Sequence, residues 1–185
     1  MTWALVVVDV QNDFADAAGS LAVSGGADVV PVINALAAGA PVVAYSQDWH
    51  PPVTPHFATS GGTWPVHCVQ GSWGAALHPD LDVRGEVVRK GTGGEDGYSA
   101  FTVRDPQTGV ETPTALAPLL RAGGVGSLVV VGLSTDYCVR ATALDGVALG
   151  WPVTVVQAAV RAVDLDPGDG DRALAELAAA GVVLG

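Results

Sequence analysis

"VVVGLSTDYCVRATALDGVALG", residues 129–150, decides the fold. An unbroken apolar run enters a turn of small residues and continues into a helix. Continuous apolarity marks a strand covered on both faces, and a strand that feeds a helix is the unit of a parallel sheet. Cys138 stands at the start of that helix. Two readings of it are open. Free cysteine is among the most buried residue types and fills cores well, whereas a helix N-terminus lowers a thiol's pKa and suits a nucleophile.

The same pattern recurs outward in both directions. Short apolar runs lie at Trp3–Val8, Pro41–Tyr45, Glu86–Val88, Leu128–Val131, Pro152–Val156 and Val182–Leu184. Between them, helices are predicted over Ala27–Ala38, Thr114–Ala122, Tyr137–Leu149 and Asp171–Ala180. Thr114 and Asp171 suit N-caps, and Gly39, Gly123, Gly150 and Gly181 fall where helices should stop. This alternation predicts an α/β fold, doubly wound, with right-handed crossovers. "VRDPQTGVET" (103–112) reads as a small hairpin that turns near Thr108-Gly109. The longest aperiodic region runs from Asp48 to about Asp82 and is rich in Pro, Gly, Trp and His. Loops of that length in a compact domain are usually functional.

With 185 residues the chain reads as one domain spanning 1–185. A net charge of −11, from 19 acidic and 8 basic residues, argues against nucleic acid and anionic membranes as partners. Two cysteines make no disulfide framework, which points to a reducing, cytoplasmic setting. "MTWALVVVDVQNDF" lacks a basic n-region, and its apolar run is too short for a bilayer, so it reads as a buried strand. Whether the protein is a monomer or a homo-oligomer is left open by the sequence.

Ligands in open parallel sheets bind beyond the carboxyl ends of the strands. Asp9 follows the first run, Asp48 and His50 the second, Lys90 the third and Cys138 the fourth. A cysteine nucleophile needs a proton acceptor, and its acyl intermediate needs an activated water. Asp9 can be that base if burial raises its pKa. Lys90 supplies positive charge for a thiolate and a developing oxyanion. Singly, each has an ordinary reading as a turn residue or a solvated lysine; at one rim together they read as a site.

"DWHPPVTPHF" and "WPVHC" add Asp48, His50, His56 and His67, three of the four histidines lying within residues 50–67. Asp48 and His50 leave an extended segment on the same face. Three imidazoles and a carboxylate suit Zn²⁺, Fe²⁺ or Mn²⁺ and not Ca²⁺ or Mg²⁺, with Zn²⁺ preferred. His78, outside the cluster, reads as a surface residue. Phe14 and Trp64 are candidates for gripping a flat ring, whereas Trp49, Trp73 and Tyr98 read as packing for the long loop.

These segments, with "GSLAVSGG" and "KG…YSAF", together resemble the nicotinamidase and pyrazinamidase branch of the isochorismatase-like cysteine hydrolase superfamily, along nearly the whole chain. The resemblance implies a three-layer α/β/α domain with a six-stranded parallel sheet. It implies a catalytic triad of Asp9, Lys90 and Cys138, and one divalent transition metal on Asp48, His50, His56 and His67. It further implies an oxyanion hole from the backbone N–H groups of Ser134 and Cys138, with a cis peptide at Leu133-Ser134. The implied reaction is hydrolysis of nicotinamide to nicotinate and ammonia through a cysteine thioester, with pyrazinamide also turned over, in NAD salvage. One departure stands out: Tyr137 precedes the cysteine where some close relatives carry histidine. Other members of the superfamily (isochorismatases, carbamoyl- or ureido-amidohydrolases, a broad arylamidase) and a non-enzymatic binding module on the same fold are the alternatives. The full histidine cluster weighs against the first group, and the presence of Asp9, Lys90 and Cys138 weighs against the last.

Overall fold

The computed structural model describes residues 2–185. In chain order its elements are β1 (Thr2–Val8), α1 (Asn12–Ala15), α2 (Val29–Gly39), β2 (Val42–Asp48), β3 (Glu86–Lys90), β4 (Thr102–Arg104), β5 (Glu111–Pro113), α3 (Leu116–Ala122), β6 (Val125–Leu133), α4 (Arg140–Ala148), β7 (Val153–Arg161), α5 (Asp169–Ala179) and β8 (Val183–Leu184). Six strands form one sheet in the order β3-β2-β1-β6-β7-β8, with every pairing parallel. β4 and β5 form the separate antiparallel hairpin. The chain winds outward from β1 to β3 and then restarts at β6 on the other side. The strand order therefore reverses between β1 and β6, which is where open α/β sheets place their ligands.

β1 shows why the layers form. Ala4, Val6 and Val8 enter one core with Leu116, Leu120, Leu128, Ala143 and Leu177, from α3, β6, α4 and α5. Leu5 and Val7 enter the opposite core with Val29, Ile33 and Ala37 of α2. Both faces are apolar because both are covered, and each buried Val or Leu side chain contributes about 1.5–3 kcal/mol.

All six apolar runs become the six strands of the sheet. β2 extends past its apolar part through Ser46, Gln47 and Asp48, because pairing with β3 continues to Asp48 opposite Lys90. The first turn of the expected helix at 137–149 is instead a wide turn with π-type hydrogen bonding over Thr135–Val139, and regular α-helix begins at Arg140. Asp171 does not cap α5. The helix starts two residues earlier, after Gly168, and the Asp169 carboxylate accepts the Asp166 N–H at 3.0 Å. Thr114 Oγ1 accepts the Leu116 N–H at 3.2 Å from just outside α3, whose cap position is Ala115.

The long segment between β2 and β3 is held by buried side-chain amides. Gln11 Nε2 donates to the carbonyls of Asp48 (2.8 Å) and Ala75 (2.9 Å), its Oε1 accepts the Asp48 N–H (2.8 Å), and Asn12 donates to the Trp73 carbonyl (2.8 Å). These bonds replace secondary structure in satisfying the loop's backbone.

At the switch point Gly132 sits directly against β1, with φ of 113°. A Cβ there would lie 2.1 Å from the Val8 carbonyl oxygen. Gly132→Ala combines overpacking with a disfavoured backbone, a cost of about 3–5 kcal/mol. Thermal unfolding of this variant should show a Tm lower by about 10 °C or more; a Tm within two degrees or so of wild type would contradict the tight β1–β6 contact.

Candidate active site

Four strand ends meet where the order reverses. Asp9 directly follows β1 in the left-handed region, with φ of 49°. Such a backbone is costly for a residue with a side chain and accumulates at functional sites. The Asp9 carboxylate is fully buried, and its Oδ1 accepts the Ser46 hydroxyl at 2.6 Å. Lys90, the last residue of β3, is 1 % exposed. Its ammonium reaches Asp48 Oδ1 at 2.5 Å, Asp9 Oδ2 at 3.0 Å and Cys138 Sγ at 3.7 Å. One cation thus touches two carboxylates and a thiol.

The two carboxylates respond differently. Burial works to raise the pKa of Asp48, but the ammonium of Lys90 and the neighbouring His50 outweigh it and hold the carboxyl well below the usual range. Burial dominates at Asp9 and raises its pKa despite Lys90, with the charge of Asp48 adding to the rise. Lys90 keeps its proton firmly, because Asp48, Asp9 and Cys138 outweigh the burial that opposes its charge. Asp48 and Lys90 therefore form the ion pair, and Asp9 is the stronger base. Burial also pushes the Cys138 thiol well above its usual range, against the pull of Lys90, while Asp9 and Asp48 push the same way. This corrects the expectation of a thiolate favoured by a helix start. Cys138 lies in the wide turn ahead of α4, buried, and rests as a thiol that needs a base.

Leu133-Ser134 is a cis peptide, at the position the resemblance implies. The Ser134 carbonyl turns away to accept the N–H groups of Tyr137 (3.2 Å) and Val139 (3.0 Å).

His50, His56 and His67 come together, with one ring nitrogen of each within 4.8 Å of the others. Both ring nitrogens of His50 are buried without a hydrogen-bond partner. His67 Nδ1 lies 2.8 Å from the Pro65 carbonyl, an arrangement that fixes the proton on Nδ1 and leaves Nε2 a free lone pair. Asp48 Oδ2 lies 3.7 Å from His50 Nε2 and 3.9 Å from His67 Nε2. Buried, orphaned imidazole nitrogens beside a carboxylate fit a divalent metal. Gly91 makes room for this cluster, since a Cβ on it would lie 2.6 Å from His50 Nδ1.

Beside the cluster opens a narrow cavity. Phe14, Trp64, Tyr98, Tyr137, Leu133 and Val163 form its apolar walls, and Asp48, His56, His67, Ser134 and Cys138 line the rest. Phe14 and Trp64 both line this cavity. Tyr98 does not simply pack the loop: its hydroxyl accepts the Trp64 Nε1–H at 3.1 Å, and its ring meets Tyr137 at 5.3 Å. Trp73 is 54 % exposed, and Trp49 lies under the Arg89 guanidinium at 3.9 Å. His78 is buried rather than on the surface, with its backbone N–H on the Val10 carbonyl and its Nδ1 accepting the Asp80 N–H. Ser46 and Gln11 escaped sequence reasoning as site residues, whereas Tyr137, singled out beside the cysteine, lines the cavity. Only the "DVQNDF" context around Gln11 carried a local signal.

The isochorismatase domain model matches residues 3–185. The chain belongs to the isochorismatase family. Within it, the relatives place the chain on the nicotinamidase and pyrazinamidase branch. The nicotinamidase of Escherichia coli (strain K12) is 40 % identical, over 98 % of this chain and 93 % of that protein. The structure of PnC1 from L. infantum in complex with nicotinate has a TM-score of 0.90 at 41 % identity, covering 99 % of this chain and 91 % of that one. The pyrazinamidase of Pyrococcus horikoshii in complex with zinc has a TM-score of 0.86 at 35 % identity, covering 100 % and 99 %. No helix among the described residues is long and apolar enough to cross a membrane.

The histidines of this family member carry a pH signature. Burial and the neighbouring imidazoles bring His56 down from 6.5 to about 4, and burial lowers His67 as well. Between those values the unfolded chain binds protons that the fold refuses, so stability falls as pH falls. The Tm of metal-free protein should therefore drop from about pH 7 to about pH 4.5, and drop less in His56→Gln. Equal pH dependence in the two proteins would contradict neutral, buried imidazole at His56.

Proposed function

We propose that the chain, acting as one hydrolase domain over residues 1–185, converts nicotinamide to nicotinate and ammonia through a thioester on Cys138. The observation that carries this reading is the contact of the Lys90 ammonium with Asp9, Asp48 and Cys138 at the foot of an aromatic cavity. Asp9 takes the thiol proton as Sγ adds to the carboxamide carbon. Lys90 keeps the emerging negative charge neutralised in a site where burial would otherwise forbid it. The backbone N–H groups of Ser134 and Cys138 are the donors proposed for the oxyanion. Collapse of the tetrahedral adduct breaks the C–N bond as Asp9 returns its proton to the leaving nitrogen, which departs as ammonia. Asp9, again a carboxylate, then draws a proton from water as that water attacks the thioester. Nicotinate leaves and the thiol is restored.

Phe14 and Trp64 would grip the two faces of the pyridine ring, a role that suits their aromatic surfaces. Asp48, His50, His56 and His67 would hold the metal, for which Zn²⁺ is proposed ahead of Fe²⁺ or Mn²⁺. When bound it would offer a Lewis-acid position to the ring nitrogen. Pyrazinamide, with a nitrogen at the same place, is proposed as a second substrate. A role in NAD salvage is proposed with the reaction, and a cytoplasmic setting with small molecules as partners, and neither nucleic acid nor membrane, is proposed from the free cysteines and the net charge of −11.

Ammonia release from nicotinamide is the direct test. Cys138→Ala should lose activity completely while keeping its metal content. Benzamide, which has the same shape but no ring nitrogen, should show kcat/KM lower by about 10² to 10⁴, or about 3 to 5.5 kcal/mol. Comparable values for the two amides would instead favour a broad arylamidase.

A further inference from the structure

Pairing between β6 and β7 ends at Leu133 opposite Arg161. Just beyond it the two chain segments are joined again, by one side chain. Asp136 is 7 % exposed, and its two carboxylate oxygens accept the N–H groups of Val163 (3.0 Å) and Asp164 (2.9 Å). The carboxylate takes over where the backbone ladder stops. Val163 is a wall of the ring cavity, and Asp136 belongs to the turn that carries Cys138. The corner it holds is firmly built. Asp164 has a left-handed φ of 51°, and its own carboxylate accepts the Gly170 N–H at 2.8 Å in the first turn of α5. A Cβ on Gly170 would lie 2.6 Å from the Ala162 Cβ, so α5 packs directly on the corner.

We propose that Asp136 is a positioning residue that holds the Val163 wall at a fixed distance from the Cys138 turn and so sets how tightly the ring is gripped. It touches none of the reacting groups, and its effect belongs to substrate binding rather than to bond making. This inference rests on the ring-amide reading above. Asn at this position keeps the shape and can accept from one N–H, but turns its own NH₂ toward the other. The clamp then opens on one side.

The test compares wild type, Asp136→Asn, Val163→Ala and the double variant, all metal-loaded, with Asp136→Ser replacing Asp136→Asn should the latter not fold. KM for nicotinamide should rise about tenfold or more in Asp136→Asn with kcat within about threefold, and the double variant should be no worse than the weaker-binding single. A second readout needs no turnover: the rate of Cys138 alkylation by bulky N-phenylmaleimide relative to iodoacetamide should rise several-fold in Asp136→Asn. Wild type inactive on nicotinamide would overturn the substrate reading, and the alkylation ratio would still decide the role of Asp136. A fall in kcat at unchanged KM, fully additive effects, or an unchanged alkylation ratio would overturn the positioning role.

Discussion

A lysine ammonium that is 1 % exposed has to be neutralised where it lies, because an unpaired charge at such a depth costs several kcal/mol. Lys90 meets that requirement with Asp48 on one side and Asp9 on the other. The arrangement is asymmetric, and the asymmetry is what the chemistry uses. Asp48 is pulled down by Lys90 and by His50, so it stays charged and completes the ion pair. Asp9 is raised by burial and by the charge of Asp48, so it is the carboxylate able to accept a proton. Cys138, also raised by burial, is the thiol proposed to supply that proton. Removing one partner from a buried pair of this kind typically costs about 3–5 kcal/mol, so the site and the fold stand together.

The sheet makes the convergence possible. Parallel strands end on one rim, and the reversal of strand order between β1 and β6 opens a crevice there. Asp9 and Ser134 flank the crevice from β1 and β6, and Asp48 and Lys90 arrive from the ends of β2 and β3 as register partners. Gln11 then fixes Asp48 by bonding both its backbone N–H and its carbonyl. The same carboxylate links the two halves of the site. Its Oδ1 holds the lysine and its Oδ2 faces two imidazoles.

Much of this was legible in the sequence, because apolar runs report burial on both faces and strand ends report where a ligand can sit. All six strands and the positions of Asp9, Asp48, Lys90 and Cys138 follow from those two rules, and the hairpin from its turn near Thr108-Gly109. Features that depend on three-dimensional surroundings did not follow. A helix start suggests an acidic thiol at Cys138, but the depth of its burial decides the matter, and depth has no local signal. His78 looks like a polar surface residue, but the fold buries it and its Nδ1 accepts the Asp80 N–H. Tyr98 carries no pattern that separates it from loop packing, since its place on the cavity wall comes from contacts with Trp64 across the chain. Asp171 is a plausible cap by type, yet α5 begins two residues earlier.

On the proposed mechanism, Cys138 forms a covalent bond to the acyl group during turnover. Metal-loaded enzyme mixed with excess nicotinamide, acid-quenched within the first turnovers and digested, should yield a Cys138 peptide heavier by one nicotinoyl group and an unmodified Cys68 peptide. Ammonia released over the same interval with no acyl group on Cys138 at any time point would contradict the account.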